Sequence, residues 1–448
     1  MRSEGFSPSK VLIMIQLKEN LFSRIELVKP KSQPITEAMV VNAWKRVNKS
    51  SKGKGVDEVS FADFEKNKSD NLYKIYNRMS SGSYFPPPVR EIEILKPGSE
   101  KKRVLGVATI GDRVAQKVVS TYLEELIDSK FDEGSYSYRQ RKNAQQAISQ
   151  CKENCWRYSW VVDLDVKGFF DNIDRNLLMD ILREHTDEKW ILMYVERWLN
   201  APFVKEDGTI VQRDKGTPQG GVVSPVLANM YLDKVFDKWF RRYFPELKFE
   251  RYADDIIIHC YTQKQASYIL DKLKERLTLY KLEIHPVKTK IVYCKQSRRQ
   301  IDYPINSFKF VGIQFRPVKS KDKRGRVFQG FSTVVPMSST CKIGDFIKGL
   351  KLQRKTQLDI HQIAKLINNR IRGWINYFKD WDMHTNCDYF FYKLNARLVK
   401  WAMNRYKRLQ SKKKAYGLIK RIQQQKPDLF EHWRYGFRIG GKQTVVYR

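Results

Sequence analysis

Two segments of the chain set carboxylates where an apolar run ends. The first is Val161-Val162-Asp163-Leu164-Asp165, followed by Lys167-Gly168-Phe169-Phe170-Asp171. The second is Phe249-Glu250-Arg251-Tyr252-Ala253-Asp254-Asp255-Ile256-Ile257-Ile258. Adjacent aspartates between runs of β-branched and aromatic residues suit the tip of a hairpin, where both side chains escape burial and can converge on a cation. Nucleotidyl transfer uses such a cluster, because two Mg²⁺ ions about 3.5–4 Å apart clamp the attacking and leaving oxygens of an in-line displacement. Hard oxygen donors suit Mg²⁺, which keeps several waters and uses few protein carboxylates. Taken alone, an Asp-Asp pair is ordinarily a polar turn, so its order and company must decide.

The elements that would position these residues are legible as changes of period. Residues 160–165, 249–252 and 256–260 read as strands, as do 210–213 and 91–95, the last meeting a turn at Pro97-Gly98. Helical spacing predicts helices over 35–47, 71–79, 115–127, 144–151, 225–241 and 263–277. Residues 316–326 read as a charged, glycine-containing connector, after which the pattern is helical over 342–350, 361–378, 389–409 and 416–424. The fold class is therefore α+β: a mixed region followed by an α-helical one. The expected division is a basic segment 1–33, a mixed domain 34–320, a connector 321–340 and a helical domain 341–448.

Charge narrows the partners. Of 448 residues, 84 are Lys or Arg and 49 are Asp or Glu, a net charge of +35. With 42% hydrophobic and 13% aromatic residues the chain has ample core material, so it is not a basic disordered tail. Such a protein suits a polyanion, nucleic acid or an anionic membrane surface. No apolar run approaches the roughly 18 residues of a spanning helix, and residues 11–15 are too short for a signal peptide. A cytoplasmic protein with no membrane partner is expected. The six cysteines include no Cys-x-x-Cys pair, so dispersed thiols are expected rather than zinc.

At this point the residues resemble a known family. Tyr252-Ala253-Asp254-Asp255 is similar to the polymerase motif of reverse transcriptases. Asp165 to Asp174, Gly216-Thr217-Pro218-Gln219-Gly220-Gly221 and Ser224 to Asn229 resemble the group II intron-encoded branch. Arg372-Gly373-Trp374-Ile375-Asn376-Tyr377-Phe378 resembles that family's maturase (thumb, or X) signature. The resemblance implies a right-hand polymerase, with fingers and palm in 34–320 and a thumb/maturase domain in 341–448. The implied activity is RNA-directed DNA polymerisation from a primer 3′-hydroxyl, with deoxynucleoside triphosphates as substrate. An RNA template, a DNA or RNA primer and a maturase role on intron RNA are implied with it.

Residue by residue, the resemblance implies that Asp165, Asp254 and Asp255 are catalytic and hold two Mg²⁺ ions, for which Mn²⁺ could substitute. Val166 stands among the metal positions beside Asp165. Asp163 falls outside the matched position and is expected to be a structural strand residue. Lys96, Arg103, Phe170, Gln219 and Lys288 are implied nucleotide contacts: the basic groups for phosphate, Phe170 as the block to a ribose 2′-hydroxyl. One of Phe169 and Phe170 is expected in the core. Phe310, Val311 and Gly312 match the hairpin that grips the primer. Glu58 stands where the family usually has Gly, and the chain shows no paired cysteines or His-Asn-His constellation, so DNA cleavage is not expected.

Arg405, Lys407, Arg408, Lys412, Lys413 and Lys414 share a helical region with Trp401, Tyr406 and Tyr416, a mixture suited to RNA phosphates and unpaired bases. Within the maturase signature, Arg372 is the expected RNA contact and Trp374 a packing residue. His259 is expected to be a packed strand residue rather than a ligand. Two further readings stay open: an RNA-binding splicing cofactor making little use of polymerisation, and a domesticated enzyme for defence or repair acting on a dedicated RNA. Oligomeric state is not legible.

Overall fold

Apolar and alternating runs become strands, and the sheets they form position the carboxylates. The computed structural model describes residues 33–47, 53–95, 102–299, 301–321, 324–381 and 383–439. Lys96 and, apart from Gln33, the basic segment 1–33 lie outside those residues. In chain order the strands are β1 (Val89–Leu95), β2 (Lys102–Val107), β3 (Trp160–Asp165), β4 (Phe203–Val204), β5 (Ile210–Val211), β6 (Lys248–Tyr252), β7 (Asp255–Cys260), β8 (Lys290–Tyr293), β9 (Phe308–Phe310), β10 (Ile313–Lys321) and β11 (Val327–Val334). They form three sheets, ordered β2-β1-β4-β5, β6-β7-β3-β8 and β11-β10-β9. Helices supply much of the rest, so the α+β class holds.

The chain forms two compact units, each assembled from non-consecutive segments. One contains the chain up to Asp132, Lys167–Phe240 and Leu277–Leu282. The other contains Glu133–Val166, Arg241–Arg276 and the chain from Glu283 onward.

In the second unit, β3 is the inner strand between β7 and β8, antiparallel to both. Trp160 to Leu164 are all buried, which explains why β3 reads as a continuous apolar run. The helix Ala144–Arg157 opens with an Asn143–Gln146 capping box and turns Ala147, Ile148, Cys151 and Cys155 inward.

Residues 316–326 are not a connector. Gln314 to Lys321 pair antiparallel with Val327 to Val334, so this charged stretch is most of a β-hairpin. The hairpin buries Phe315 and Phe331, and Phe315 stacks on Phe308 with ring centroids 4.7 Å apart. Period-two alternation leaves Arg316 on the opposite side of β10 from its neighbour Phe315, and the density of charge masks the strand pattern. The expected connector 321–340 accordingly contains β11 and the start of the helix Met337–Gly349.

Beyond it lie the helices Ile360–Phe378, Met383–Arg405 and Lys412–Gln425. The first buries Ile363, Ile367, Ile371 and Ile375, one residue per turn, behind an Asp359–Gln362 capping box. Among the described residues no helix is long and apolar enough to cross a membrane.

Among the described residues of the first unit, the helices Phe61–Lys66, Phe169–Asn172, Arg175–Arg183 and Lys189–Leu199 are not found by the spacing analysis. This unit also explains one departure from the family pattern. Glu58 adopts φ +53°, the left-handed region that favours glycine, and its carboxylate accepts from Arg90.

Candidate functional site

The site is built by register. β7 pairs with β3 so that Asp255 stands opposite Asp165, and β6 meets β7 with Tyr252 opposite Asp255. Ala253 and Asp254 therefore make the whole turn. A two-residue turn follows the strands' twist when its first position has positive φ, and Ala253 adopts φ +58°. Asp163, Asp165, Asp254 and Asp255 line one cavity of about 560 Å³, shared with Lys288, Lys290 and Lys309.

Electrostatics mark this cavity. Burial holds Asp255 well above the carboxylate range, the charges of Asp163, Asp254 and Asp165 adding to the effect and the Val311 N–H opposing it. Burial pushes Asp163 up to about 7, with Lys290 opposing and Asp165 adding. Carboxylates this close resist ionising together, and a bound cation reverses that penalty. The donors are all hard oxygens, which fits Mg²⁺ or Mn²⁺ rather than a thiophilic ion. Asp163 was expected to be structural, yet it shares the cavity. Its spacing of two from Asp165 is the signal that finds it, because a strand places i and i+2 on one face.

The His285–Lys290 segment clasps Asp165. The His285 N–H donates to the Asp165 carbonyl at 2.8 Å, the Asp165 N–H donates to Thr289 Oγ1 at 3.2 Å, and Val166 bridges to Ile284. Lys288 Nζ donates to Asp165 Oδ2 at 2.8 Å. Phe310 and Ile313 pair across β9 and β10, leaving Val311 and Gly312 as a turn with φ +46° and +74°. That turn is held from both sides: Val311 N–H donates to Asp255 Oδ2 at 3.2 Å, and the Tyr377 hydroxyl donates to the Val311 carbonyl.

In the first unit, Phe169 is buried and Phe170 is half-buried, their rings edge to face at 5.5 Å. Phe169 is thus the core member of the pair. The Gly216–Gly221 loop is stitched to this turn: Gly216 N–H donates to the Ile173 carbonyl and Thr217 N–H to the Phe170 carbonyl, both at 2.8 Å. Gln219 Nε2 donates to Asp171 Oδ2 at 2.9 Å, and the Gln219 carbonyl accepts from Gly106 N–H at 2.8 Å. Gly220 is obligatory, since a Cβ there would lie 2.6 Å from the Gly106 carbonyl oxygen at φ +112°. Arg103 is exposed on β2 opposite Ile94.

Sequence reasoning misses the support behind this loop. Gln116 Oε1 accepts from the N–H groups of Val222 at 2.7 Å and Val223 at 3.2 Å. Its Nε2 donates to Asp112 Oδ2 at 2.9 Å, while Asp112 Oδ1 accepts from Tyr84 at 2.9 Å and Trp198 at 2.8 Å. Asp112 is buried, and burial raises its pKa against those hydrogen bonds.

The basic C-terminal residues divide into two groups. Arg372 donates to the buried Glu431 carboxylate, and Arg405 donates to the Thr356 carbonyl beside Trp401 and Tyr406. Lys407, Arg408, Lys412, Lys413 and Lys414 are exposed. Trp374 is partly buried against the core, edge to face with Phe346 at 5.2 Å.

Two family descriptions match this chain. Residues 94–315 match "Reverse transcriptase (RNA-dependent DNA polymerase)", and residues 342–417 match "Group II intron, maturase-specific domain". The chain belongs to the group II intron-encoded reverse transcriptases. It is similar to the group II intron-encoded protein LtrA of Lactococcus lactis subsp. cremoris, at 25% identity over 82% of this chain and 72% of that protein. It is also similar to the putative COX1/OXI3 intron 1 protein of Saccharomyces cerevisiae, at 29% identity over 38% of this chain and 20% of that one. Telomerase from Candida albicans, in a solved complex with telomeric RNA, is similar with a TM-score of 0.44 and 13% identity over 83% of this chain and 67% of that one. This group II intron-type reverse transcriptase is accordingly an RNA-directed DNA polymerase with a maturase role, its reverse transcriptase region followed by a helical maturase region.

Proposed function

We propose that the four-aspartate cavity is the polymerising centre of this reverse transcriptase, with Asp165, Asp254 and Asp255 holding two Mg²⁺ ions beside Val166, and Mn²⁺ able to substitute. The observation that carries the reading is the pairing of Asp165 with Asp255 across β3 and β7, with Asp254 in the adjoining turn. When bound, the ions would lower the cost of ionising the primer 3′-hydroxyl and offset charge on the triphosphate. The chain's own residues orient the reactants. The exposed Lys288 ammonium neutralises Asp165 and is free to turn toward a leaving pyrophosphate. Lys96 and Arg103 supply the point charge and planar fork suited to triphosphate oxygens. Phe170 presents an aromatic edge against a ribose 2′-hydroxyl, Gln219 approaches the incoming deoxynucleotide, and the Phe310–Val311–Gly312 turn holds the primer end.

RNA is held electrostatically by Lys407, Arg408, Lys412, Lys413 and Lys414, whose side chains are exposed. Arg372 and Arg405 serve this surface by fixing the segments behind it. The bound RNA is the intron, and sequencing of RNA that copurifies with the chain identifies it; a dedicated non-coding RNA in its place would favour the domesticated reading. The reaction itself is tested by extending a primer on an RNA template with deoxynucleotides. Complementary DNA should form with Mg²⁺, less readily with Mn²⁺, and not in excess chelator. Full-length product in chelator would contradict the metal assignment.

A further inference from the structure

On the second unit, residues in or next to four elements converge in the interior. Cys151 and Cys155 come from the helix Ala144–Arg157, Glu250 from β6 and His259 from β7, and Cys294 is the residue that follows β8. All four of Cys151, Cys155, Cys294 and His259 are 0% exposed, and Glu250 is 1% exposed. One ligand atom from each of Cys151, Glu250 and His259 lies within 4.8 Å of the other two. The Cys155 thiol makes side-chain contacts with Cys151, Cys294 and His259.

The hydrogen bonding inside the cluster is lopsided. His259 Nε2 meets Glu250 Oε2 at 2.6 Å, and Asn154 Nδ2 donates to Glu250 Oε1 at 2.6 Å. His259 Nδ1 is buried with no oxygen or nitrogen partner among the described residues, and the ring interacts with the Cys155 thiol. A carboxylate on one imidazole nitrogen, with thiols gathered about the ring, is the arrangement by which proteins orient a metal-binding histidine. The alternative, a histidine merely packed in a strand, gives no reason for three thiols to gather around it.

We propose that Cys151, Cys155, Cys294 and His259 form a structural zinc-class site on the back of the polymerase hairpin, with Glu250 holding the imidazole. Thiolate and imidazole donors select a borderline-soft ion, unlike the all-oxygen aspartate cavity, and four-coordination is the ordinary structural geometry for zinc. Thiol ligands release their protons on binding the cation, and the ion would enter as the chain folds. The site would fasten the helix to β6 and β7, the two strands whose turn carries Ala253 and Asp254. The spacing of the cysteines could not reveal it, because its donors lie about a hundred residues apart in the chain.

The test is elemental analysis of the full chain, expressed with zinc and dialysed exhaustively into metal-free buffer. About one zinc ion per chain is expected, with sulfur and nitrogen neighbours by X-ray absorption. Cys151→Ser and His259→Gln should each lose it, while Asp254→Ala should keep it, which separates this site from the polymerising centre. Removing the zinc from the unmutated chain with a strong chelator should lower Tm by on the order of 10 °C. A folded unmutated chain that holds no zinc even after refolding in its presence would overturn the proposal. Zinc that a brief chelator wash removes with no change in Tm would overturn it equally, as an adventitious ion only.

Discussion

The backbone N–H of Val311 donates to Oδ2 of Asp255 at 3.2 Å. The same residue's carbonyl accepts from Tyr377, inside the maturase signature. Val311 does this at φ +46°, where a β-branched side chain is strained by roughly 1–2 kcal/mol. The turn is therefore over-determined by its two partners, and the Asp255 carboxylate is coupled through it to the helix Ile360–Phe378. Tyr377→Phe removes one partner only, a loss of about 0.5–1.5 kcal/mol. Primer extension should show KM for primer–template raised roughly 2- to 10-fold, with KM for deoxynucleotides unchanged. An equal rise in both would contradict the primer-end assignment.

Gln116 touches no expected substrate, yet it supports the loop that presents Gln219. Gln116→Leu leaves the Val222 and Val223 N–H groups without their acceptor and Asp112 Oδ2 without the Gln116 donor, at about 1–3 kcal/mol for each buried group stranded. Calorimetry should record a lower Tm, and steady-state kinetics a higher KM for deoxynucleotides. Gln116→Glu keeps the acceptor for the two N–H groups and should retain more of the nucleotide affinity than Gln116→Leu. Identical kinetics in the two variants would reduce Gln116 to a packing residue.

Phe170 is the half-buried partner of a buried Phe169, so it can be cut back without opening the core. Phe170→Val should raise ribonucleotide incorporation at least about tenfold, the effect of roughly 1.4 kcal/mol of lost steric discrimination. Competition between deoxyribonucleotides and ribonucleotides in single-nucleotide extension measures it, and unchanged discrimination would return Phe170 to a packing role.

The hairpin bearing Asp254 and the strand ending at Asp165 are legible because every determinant is contiguous: an apolar run, a polar two-residue turn, another apolar run. Asp163 is less so, since matching by motif position sets it aside while its place on the same strand face brings it into the cavity. The β10–β11 hairpin is hidden by charge, its strand alternation diluted by Arg316, Lys319 and Arg326. Gln116 and the Cys151–His259 cluster are illegible for another reason. Their partners lie far away in sequence, and only strand register and helix packing bring them together. Glu58 shows the converse, a backbone position that needs the left-handed region although the residue there does not favour it.

His432 provides a pH test. Burial lowers its pKa to about 3, with Nε2 bonded to Asn395 Oδ1 at 2.9 Å. The folded chain keeps this imidazole neutral while the unfolded chain protonates near 6.5. Its stabilising contribution is therefore present above pH 6.5 and lost as pH falls toward 3, at about 1.4 kcal/mol per pH unit. Thermal melts between pH 6.5 and 5 should fall more steeply for the unmutated chain than for His432→Gln. Taking the difference between the two chains also cancels Asp163, whose raised pKa acts with the opposite sign, removing stability as pH rises toward 7. Parallel curves would contradict the buried neutral state of His432.

The central claim is that Asp165, Asp254 and Asp255 together form the polymerising centre. Asp254 sits in the β6–β7 turn and is partly exposed, so Asp254→Ala should fold and melt like the unmutated chain. The decisive measurement is primer extension on an RNA template with Mg²⁺ and deoxynucleotides, both chains at equal concentration. Loss of at least about 10³-fold in rate, several kcal/mol of transition-state stabilisation, is expected with Tm unchanged. Extension by Asp254→Ala within about tenfold of the unmutated rate would contradict the account.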